Sequence, residues 1–173
     1  MASFDLAIPI VLQHEGVHSN LRGDPGGETY FGFSTPFLRQ HGLEPPKSED
    51  EAVALYRQYF WLPIYQEITA QNISTKVFDD HVNQGMKPAH ENLQRALVSL
   101  GHSVAVDGVL GDETLEAINV SDQETLLKSM AEEQRASYSE WIKQNPSQRM
   151  NLKRGLYNRA AWPWTPLGLG WNT

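Results

Sequence analysis

The sequence predicts a mainly α-helical protein of one domain, with at most a small sheet. Apolar residues recur at helical spacing in many segments, and Phe4, Ile8, Val11 and Leu12 are the first example. The alternation of apolar and polar residues that is typical of strands is weak throughout. The length of 173 residues fits one domain, and a hydrophobic content of 40% is enough for a core.

Helix caps and breakers divide the first half of the chain into segments. The first helix is expected to end near Glu15, because Gly16 and a loop rich in Gly and Pro follow. Residues 34–36, Ser-Thr-Pro, are typical of a helix start. Residues 48–51 form a capping box for a third helix, which Pro63 ends or bends.

Similar caps and helix breakers predict five more helices in the second half. The signals, in order, are a cap at Thr75, breaks at Gly85 and Pro88, a stop at Gly101, a cap at Asp112, a capping box at residues 121–124 and a helical pattern over Arg149–Ala161. Asp107 and Gly108 mark a turn between two of these helices. The last dozen residues contain two Pro and two Gly, so we expect an irregular tail there.

Composition excludes several classes of function. There is no cysteine, so disulfides, thiol nucleophiles and Cys-based zinc sites are ruled out. The net charge of −7 argues against a nucleic-acid partner, because binding to polyphosphate depends on Lys and Arg. The N-terminus has neither the basic region nor the apolar run of a signal peptide, and no segment is long enough to span a membrane. We therefore expect a chain made in a cytoplasm, without a stable membrane anchor.

Residues 14–18, His-Glu-Gly-Val-His, satisfy the zinc-peptidase pattern H-E-x-x-H. That chemistry needs both histidines on one face of a continuous helix, with the Glu activating a metal-bound water. Gly16 lies inside the motif and a Gly/Pro loop follows, so the helix is not expected to continue through His18. We predict no metal and no cofactor, and keep a zinc-dependent peptidase that uses His14, Glu15 and His18 as the alternative.

The second interpretation uses carboxylates, as glycosidases do. One carboxylic acid protonates the leaving oxygen, and a second group positions water or stabilises positive charge on the sugar. Glu15 ends an apolar helix, where partial burial favours the protonated acid. Asp24, Glu28 and Thr29 follow in a loop that can fold back over the helix end. Asp24 and Thr29 are therefore candidates for holding the water.

Several segments, in order along nearly the whole chain, resemble glycoside hydrolase family 108, a family of N-acetylmuramidases. These segments are His-Glu-Gly at 14–16, Asp-Pro-Gly-Gly-Glu-Thr-Tyr-Phe-Gly-Phe-Ser at 24–34, Leu-Tyr-Arg-Gln-Tyr-Phe-Trp at 55–61, Val-Phe-Asp-Asp-His-Val-Asn-Gln-Gly at 77–85, Leu-Gln-Arg-Ala-Leu at 93–97, Val-Asp-Gly-Val-Leu-Gly at 106–111 and Arg-Gly-Leu-Tyr-Asn-Arg at 154–159. The resemblance implies that Glu15 is the catalytic residue. The chain departs from the family pattern at Val17 and His18, where a second Gly and a Tyr are usual, and at Tyr30, where an Asn is usual.

The resemblance also implies a lysozyme-like fold over residues 1–173. A small β-hairpin is expected after the first helix, within residues 23–33. A helical region similar to peptidoglycan-binding domains, at about 75–161, is expected to pack into the same domain.

Sugar binding needs aromatic faces and polar groups along a groove. The candidates in or next to the matched segments are His18, Glu28, Tyr30, Tyr59, Trp61 and Asn83. For each aromatic residue a place in the core is at least as reasonable. The basic residues Arg149, Lys153, Arg154 and Arg159 are predicted to form a solvated helix face.

Together these observations predict a monomeric peptidoglycan hydrolase that cleaves the β-1,4 bond between N-acetylmuramic acid and N-acetylglucosamine. The expected setting is a phage endolysin, which waits in the host cytoplasm and then reaches the periplasm and cell wall. The non-enzymatic alternative is a wall-binding or secretion accessory protein with the same fold.

Overall fold

The structure, a computed structural model, describes residues 1–15, 18–19, 29–146 and 149–161, with the backbone alone described at 18, 19, 29 and 149–154. The described part is mainly helical, as predicted. Its helices are α1 (Phe4–Glu15), α2 (Thr35–His41), α3 (Glu49–Tyr59), α4 (Pro63–Glu67), α5 (Gln71–Gln84), α6 (Met86–Ser99), α7 (Asp112–Val120), α8 (Gln123–Gln144) and α9 (Arg149–Ala161).

A small antiparallel sheet follows α1, which confirms the predicted hairpin. Its strands β1 (His18–Ser19), β2 (Thr29–Tyr30) and β3 (Phe33–Ser34) lie in chain order. Phe31 and Gly32 form a two-residue turn between β2 and β3, with φ of 50° and 88°. Two-residue hairpin turns commonly need positive φ, which is unusual for a residue such as Phe.

Two predicted caps are confirmed and three helix starts differ. The hydroxyls of Ser34 and Ser48 accept hydrogen bonds from Phe37 N and Glu51 N. Thr75 was expected to begin a helix, but α5 begins one turn earlier at Gln71 and encloses it. The other two starts move by one residue: Gly111 rather than Asp112 precedes α7, and Asp122 rather than Ser121 caps α8.

The centre of the fold is α5. All residues from Ile73 to His81 are buried, and the helix contacts α1, α4, α6 and α8. Most helices bury one stripe only, so burial on all sides identifies α5 as the element around which the others pack. Its buried segment also contains polar residues: Ser74, Thr75, Lys76, Asp79, Asp80 and His81. Buried polar groups are costly unless they are hydrogen-bonded, so their partners determine how the neighbouring helices are held.

One group of partners connects α4, α5 and α6. The Tyr65 hydroxyl lies 3.1 Å from His81 Nδ1 and 2.8 Å from His90 Nε2. The other ring nitrogen of His90, Nδ1, lies 2.9 Å from the carbonyl oxygen of Gly108. Gly108 has φ of 79° and belongs to the predicted turn at Asp107–Gly108. This network ties the turn before α7 to the centre of the protein.

No helix within the described ranges has both the length and the apolar character needed to cross a bilayer.

Candidate active site

Glu15 is the last residue of α1, where the chain leaves the helix toward the sheet. Its side chain keeps 16% of its surface exposed. The Nη1 group of Arg159, from α9, donates a hydrogen bond of 2.6 Å to Glu15 Oε1. No described residue hydrogen-bonds to the second oxygen, Oε2. One carboxylate oxygen is thus held by Arg159, and the other has no partner among the described residues.

Arg159 is itself held by Asp79 of α5. Its Nε and Nη2 donate to the two carboxylate oxygens of Asp79 at 3.0 and 2.8 Å, and Nη2 also reaches the Asp79 carbonyl at 3.2 Å. Such paired contacts between a planar guanidinium and a carboxylate fix orientation as well as distance. Arg159 is 8% exposed, so this ion pair is shielded from solvent.

Asp79 is also approached by His14, whose Nδ1 lies 2.9 Å from Asp79 Oδ1. Burial alone raises the pKa of Asp79, but the charge of Arg159 and the contact with His14 outweigh it and hold this pKa below its usual value. Burial by itself lowers the pKa of Arg159, but the negative charges of Asp79 and Glu15 together raise it above its usual value. Asp79 and Arg159 therefore remain an ion pair, with Glu15 at the exposed end.

The turn between β2 and β3 packs directly on Glu15. A Cβ added to Gly32 would lie 2.8 Å from Glu15 Cγ and 2.2 Å from the Tyr56 hydroxyl, so only glycine fits there. The Tyr56 hydroxyl donates a 2.7 Å hydrogen bond to the carbonyl of Phe31. Burial, followed by the charge of Glu15, raises the pKa of Tyr56, which keeps this hydroxyl a donor. Tyr56 thereby fixes the turn against the carboxylate.

The zinc-peptidase pattern is not realised in this arrangement. Helix α1 ends at Glu15 and His18 lies in β1, so the two histidines are not one turn apart on a continuous helix. His14 faces Asp79. The described part of the chain contains no group of three or more side chains suited to hold a metal ion.

The predicted sugar-binding residues separate into different places. Trp61 is in the core and only 7% exposed, with its ring packed against Phe4, Phe78 and Tyr65. The structure therefore places Trp61 in the core, the alternative that the sequence left open. Tyr59 is half-buried and its ring lies 4.8 Å from that of His41.

Asn83 and Tyr30 are also half-buried, while four other candidates have no described side chain. Asn83 Oδ1 accepts a 2.6 Å hydrogen bond from the Tyr138 hydroxyl, so it ties α5 to α8. Tyr30 lies in β2, opposite His18 of β1 and Phe33 of β3. The backbones of His18 and Thr29 lie in the sheet beside Glu15, but Asp24 and Glu28 lie outside the described residues.

Sequence reasoning missed Arg159 and Asp79. Arg159 was assigned to a solvated helix face, but it is buried between Asp79 and Glu15. Its partners are 80 and 144 residues away along the chain, so no local pattern indicates them. Both residues lie in segments that carry the resemblance described above, and that was the one available signal.

Comparisons with known proteins give family matches for both halves of the chain and a similar fold. Residues 8–85 match the family model for Glycosyl hydrolase 108, and residues 88–161 match that for a Predicted Peptidoglycan domain. The structure of Brucella abortus SagA is similar, with a TM-score of 0.68 and 20% sequence identity over 95% of this chain and 97% of that one. At this identity the likeness establishes a shared fold. No curated protein matches the sequence.

Proposed function

Since the chain belongs to glycosyl hydrolase family 108 and is a glycosidase that acts on peptidoglycan, we propose that it is an N-acetylmuramidase with Glu15 as its catalytic acid. The observation that carries the proposal is the environment of Glu15. Its carboxylate stands at a helix end beside the sheet, held through Oε1 and with Oε2 without a partner in the described residues. A general acid needs a proton-bearing oxygen in reach of the substrate, and we assign that role to Oε2.

In the proposed reaction, Glu15 gives its proton to the glycosidic oxygen as the bond from that oxygen to C1 of the N-acetylmuramic acid breaks. Water attacks C1 and releases a proton to the solvent, and Glu15 takes up a proton from the solvent again, which completes the hydrolysis and restores the acid. We assign the positioning of this water to Asp24 and Thr29, in the order that the sequence places them after Glu15. We keep His18, Glu28, Tyr30, Tyr59 and Asn83 as candidates for contacts with the glycan.

The test is mass analysis of purified peptidoglycan after digestion with wild type, Glu15→Gln and Glu44→Gln. The first variant keeps the size of the side chain but removes the acid, and the second makes the same change at an exposed site. Wild type and Glu44→Gln are expected to release fragments with N-acetylmuramic acid at the reducing end. Glu15→Gln is expected to lower the rate at least about 100-fold, since general acid catalysis contributes roughly 10²–10⁴.

The possible products separate the alternatives. N-acetylglucosamine at the reducing end contradicts the muramidase specificity, and new free amines that disappear with a chelator support the peptidase. Intact glycan that sediments with wild type supports the accessory protein.

We also propose that the protein is monomeric and acts as a phage endolysin, reaching the wall after a pore opens the host membrane. Co-expression with and without a pore-forming protein tests this setting, with lysis expected only when the pore is present.

A further inference from the structure

The candidate active site takes residues from both matched regions of the chain. Glu15 and Asp79 lie within residues 8–85, whereas Arg159 lies within residues 88–161. The second match is described as a peptidoglycan domain, which by itself suggests a role in binding the wall. Yet one of its side chains reaches the carboxylate proposed to carry out the chemistry, at 2.6 Å.

We propose that Arg159 is a positioning residue for Glu15, anchored by Asp79, and that the second region thereby completes the active site of the first. The inference rests on the proposed function, since it assigns Glu15 as the acid. Three nitrogens of one planar group are engaged, with Nε and Nη2 on Asp79 and Nη1 on Glu15. Because the guanidinium is rigid, the two contacts with Asp79 set the direction of the third. Glu15 Oε1 is fixed by that direction, and Oε2 becomes the reactive oxygen.

The two carboxylates of the cluster are held to different degrees. Both share the one guanidinium of Arg159. Asp79 is buried, takes two of the three donors and is also approached by His14. Glu15 is the more exposed carboxylate and receives one donor from Arg159. Asp79 is thus the anchor of the guanidinium, and Glu15 is the carboxylate that the guanidinium positions.

The kinetic test compares Arg159→Lys with Arg95→Lys. Lysine keeps the positive charge but cannot donate in three fixed directions. Arg95 is a matched control, because it also contacts two carboxylates, Glu91 and Glu133, but lies on the surface of α6. We expect Arg159→Lys to lower kcat by about 100-fold, the effect of misplacing a reacting group by about 1 Å. KM is expected to change less than about threefold, and Arg95→Lys is expected to match wild type within about twofold in both constants.

A pH profile separates positioning from a purely structural role. In Arg159→Gln the positive charge beside Glu15 is lost, so the alkaline limb of kcat/KM is expected to move to higher pH. In Arg159→Lys the charge remains and the limb is expected to move less. A role in stability alone lowers the fraction of folded enzyme and the rate at every pH, leaving the limb in place. An unmoved limb in a folded Arg159→Gln variant therefore overturns the proposal.

A measurement without any change at Arg159 covers the case in which its variants do not fold. In ¹⁵N spectra of assigned arginine guanidinium groups, Glu15→Gln is expected to shift the Nη resonances of Arg159, and Glu44→Gln is expected to leave them unchanged. Unchanged Arg159 resonances in Glu15→Gln contradict the contact. Failure of the proposed function has another signature, because wild type itself then leaves the glycan uncut or Glu15→Gln remains active.

Discussion

Two neighbouring carboxylates on α5 have opposite surroundings. Asp79 and Asp80 are 2% and 4% exposed, so burial hardly distinguishes them. Asp79 faces the guanidinium of Arg159 and the ring of His14. Asp80 accepts its hydrogen bonds from the side-chain amides of Asn92, Gln84 and Gln134. On the same helix, Asp79 thus forms an ion pair at the candidate site, whereas Asp80 is hydrogen-bonded by side-chain amides, including those of α6 and α8.

The difference shows that the partner, more than the depth of burial, determines the state of a buried acid. The positive charge of Arg159 and the contact with His14 overcome the effect of burial on Asp79 and lower its pKa. Burial raises the pKa of Asp80, and the hydrogen bonds from Asn92 and Gln84 and the charge of Lys76 only partly offset it. Consecutive residues on a helix point about 100° apart, so the two acids meet different neighbours. Substitutions at these two positions and at His81 test this interpretation.

The largest loss of stability is expected for Asp79→Asn. It leaves the buried guanidinium of Arg159 without its main counter-charge, a change that costs about 3–5 kcal/mol. Because folding lowers the pKa of Asp79, its stabilisation is present above the ordinary value of 3.8 and is lost as the pH falls below it. Urea unfolding of wild type and Asp79→Asn from pH 7 to pH 3 should show a difference that shrinks in acid.

Asp5→Asn is the matched control for this experiment. Asp5 also pairs with an arginine, Arg57, but its side chain is 76% exposed. Exposed pairs contribute at most about 1 kcal/mol, so this variant should unfold close to wild type. If the two variants lose equal stability, the special position of Asp79 is contradicted.

The next largest effect on the free energy of unfolding is expected for His81→Gln. This variant also removes a pH dependence that overlaps with that of the carboxylates. Burial, with a contribution from nearby His90, lowers the pKa of His81 to about 4, from 6.5. The folded state therefore favours the neutral ring, and stability is lost as the pH falls from 6.5 toward 4. The slope is about 1.4 kcal/mol per pH unit for one such histidine. His81→Gln should remove that slope in urea unfolding, and an unchanged slope would show that His81 does not titrate there.

The smallest effect is expected for Asp80→Asn, about 1–2 kcal/mol, because an amide keeps the shape but replaces one acceptor with a donor. The dependence on pH is opposite to that of Asp79→Asn. Folding raises the pKa of Asp80, so its contribution is present below 3.8 and declines as the pH rises through the raised value. The measured cost of Asp80→Asn should therefore decrease from pH 4 to pH 7. If the stability cost of Asp80→Asn instead grows with pH, the predicted opposite behaviour of the two carboxylates is contradicted.

Most of the helices could be predicted because their signals are local, whereas α4 was not predicted. The helical spacing of Phe4, Ile8 and Val11 indicates α1, and the caps at Ser34 and Ser48 depend on residues only three positions away. The start of α5 could not be read in this way. Gln71 extends that helix beyond Thr75 through two hydrogen bonds with the backbone of Ser3, which is far away in the sequence.

Of the three side chains that meet in the candidate site, the sequence indicated Glu15 alone. Glu15 stands in a motif, so sequence and resemblance both indicate it. Trp61 stands in a matched segment as well, yet whether an aromatic ring faces a groove or the core depends on packing against Phe4, Phe78 and Tyr65. Arg159 looked like one of several basic residues on a helix, and only the folded chain brings it to Asp79 and Glu15.

The contact between Glu15 and Arg159 spans 144 residues, which matters during biosynthesis. A ribosome that adds roughly 5–20 residues per second needs roughly 7–30 seconds to pass from one residue to the other. During that interval the emerging polypeptide contains the proposed acid without the arginine that holds it. A chain released early, before α9, would carry the whole glycosidase-like region with an unsupported carboxylate. In the proposed arrangement, the active site is complete only once α9 has been synthesised.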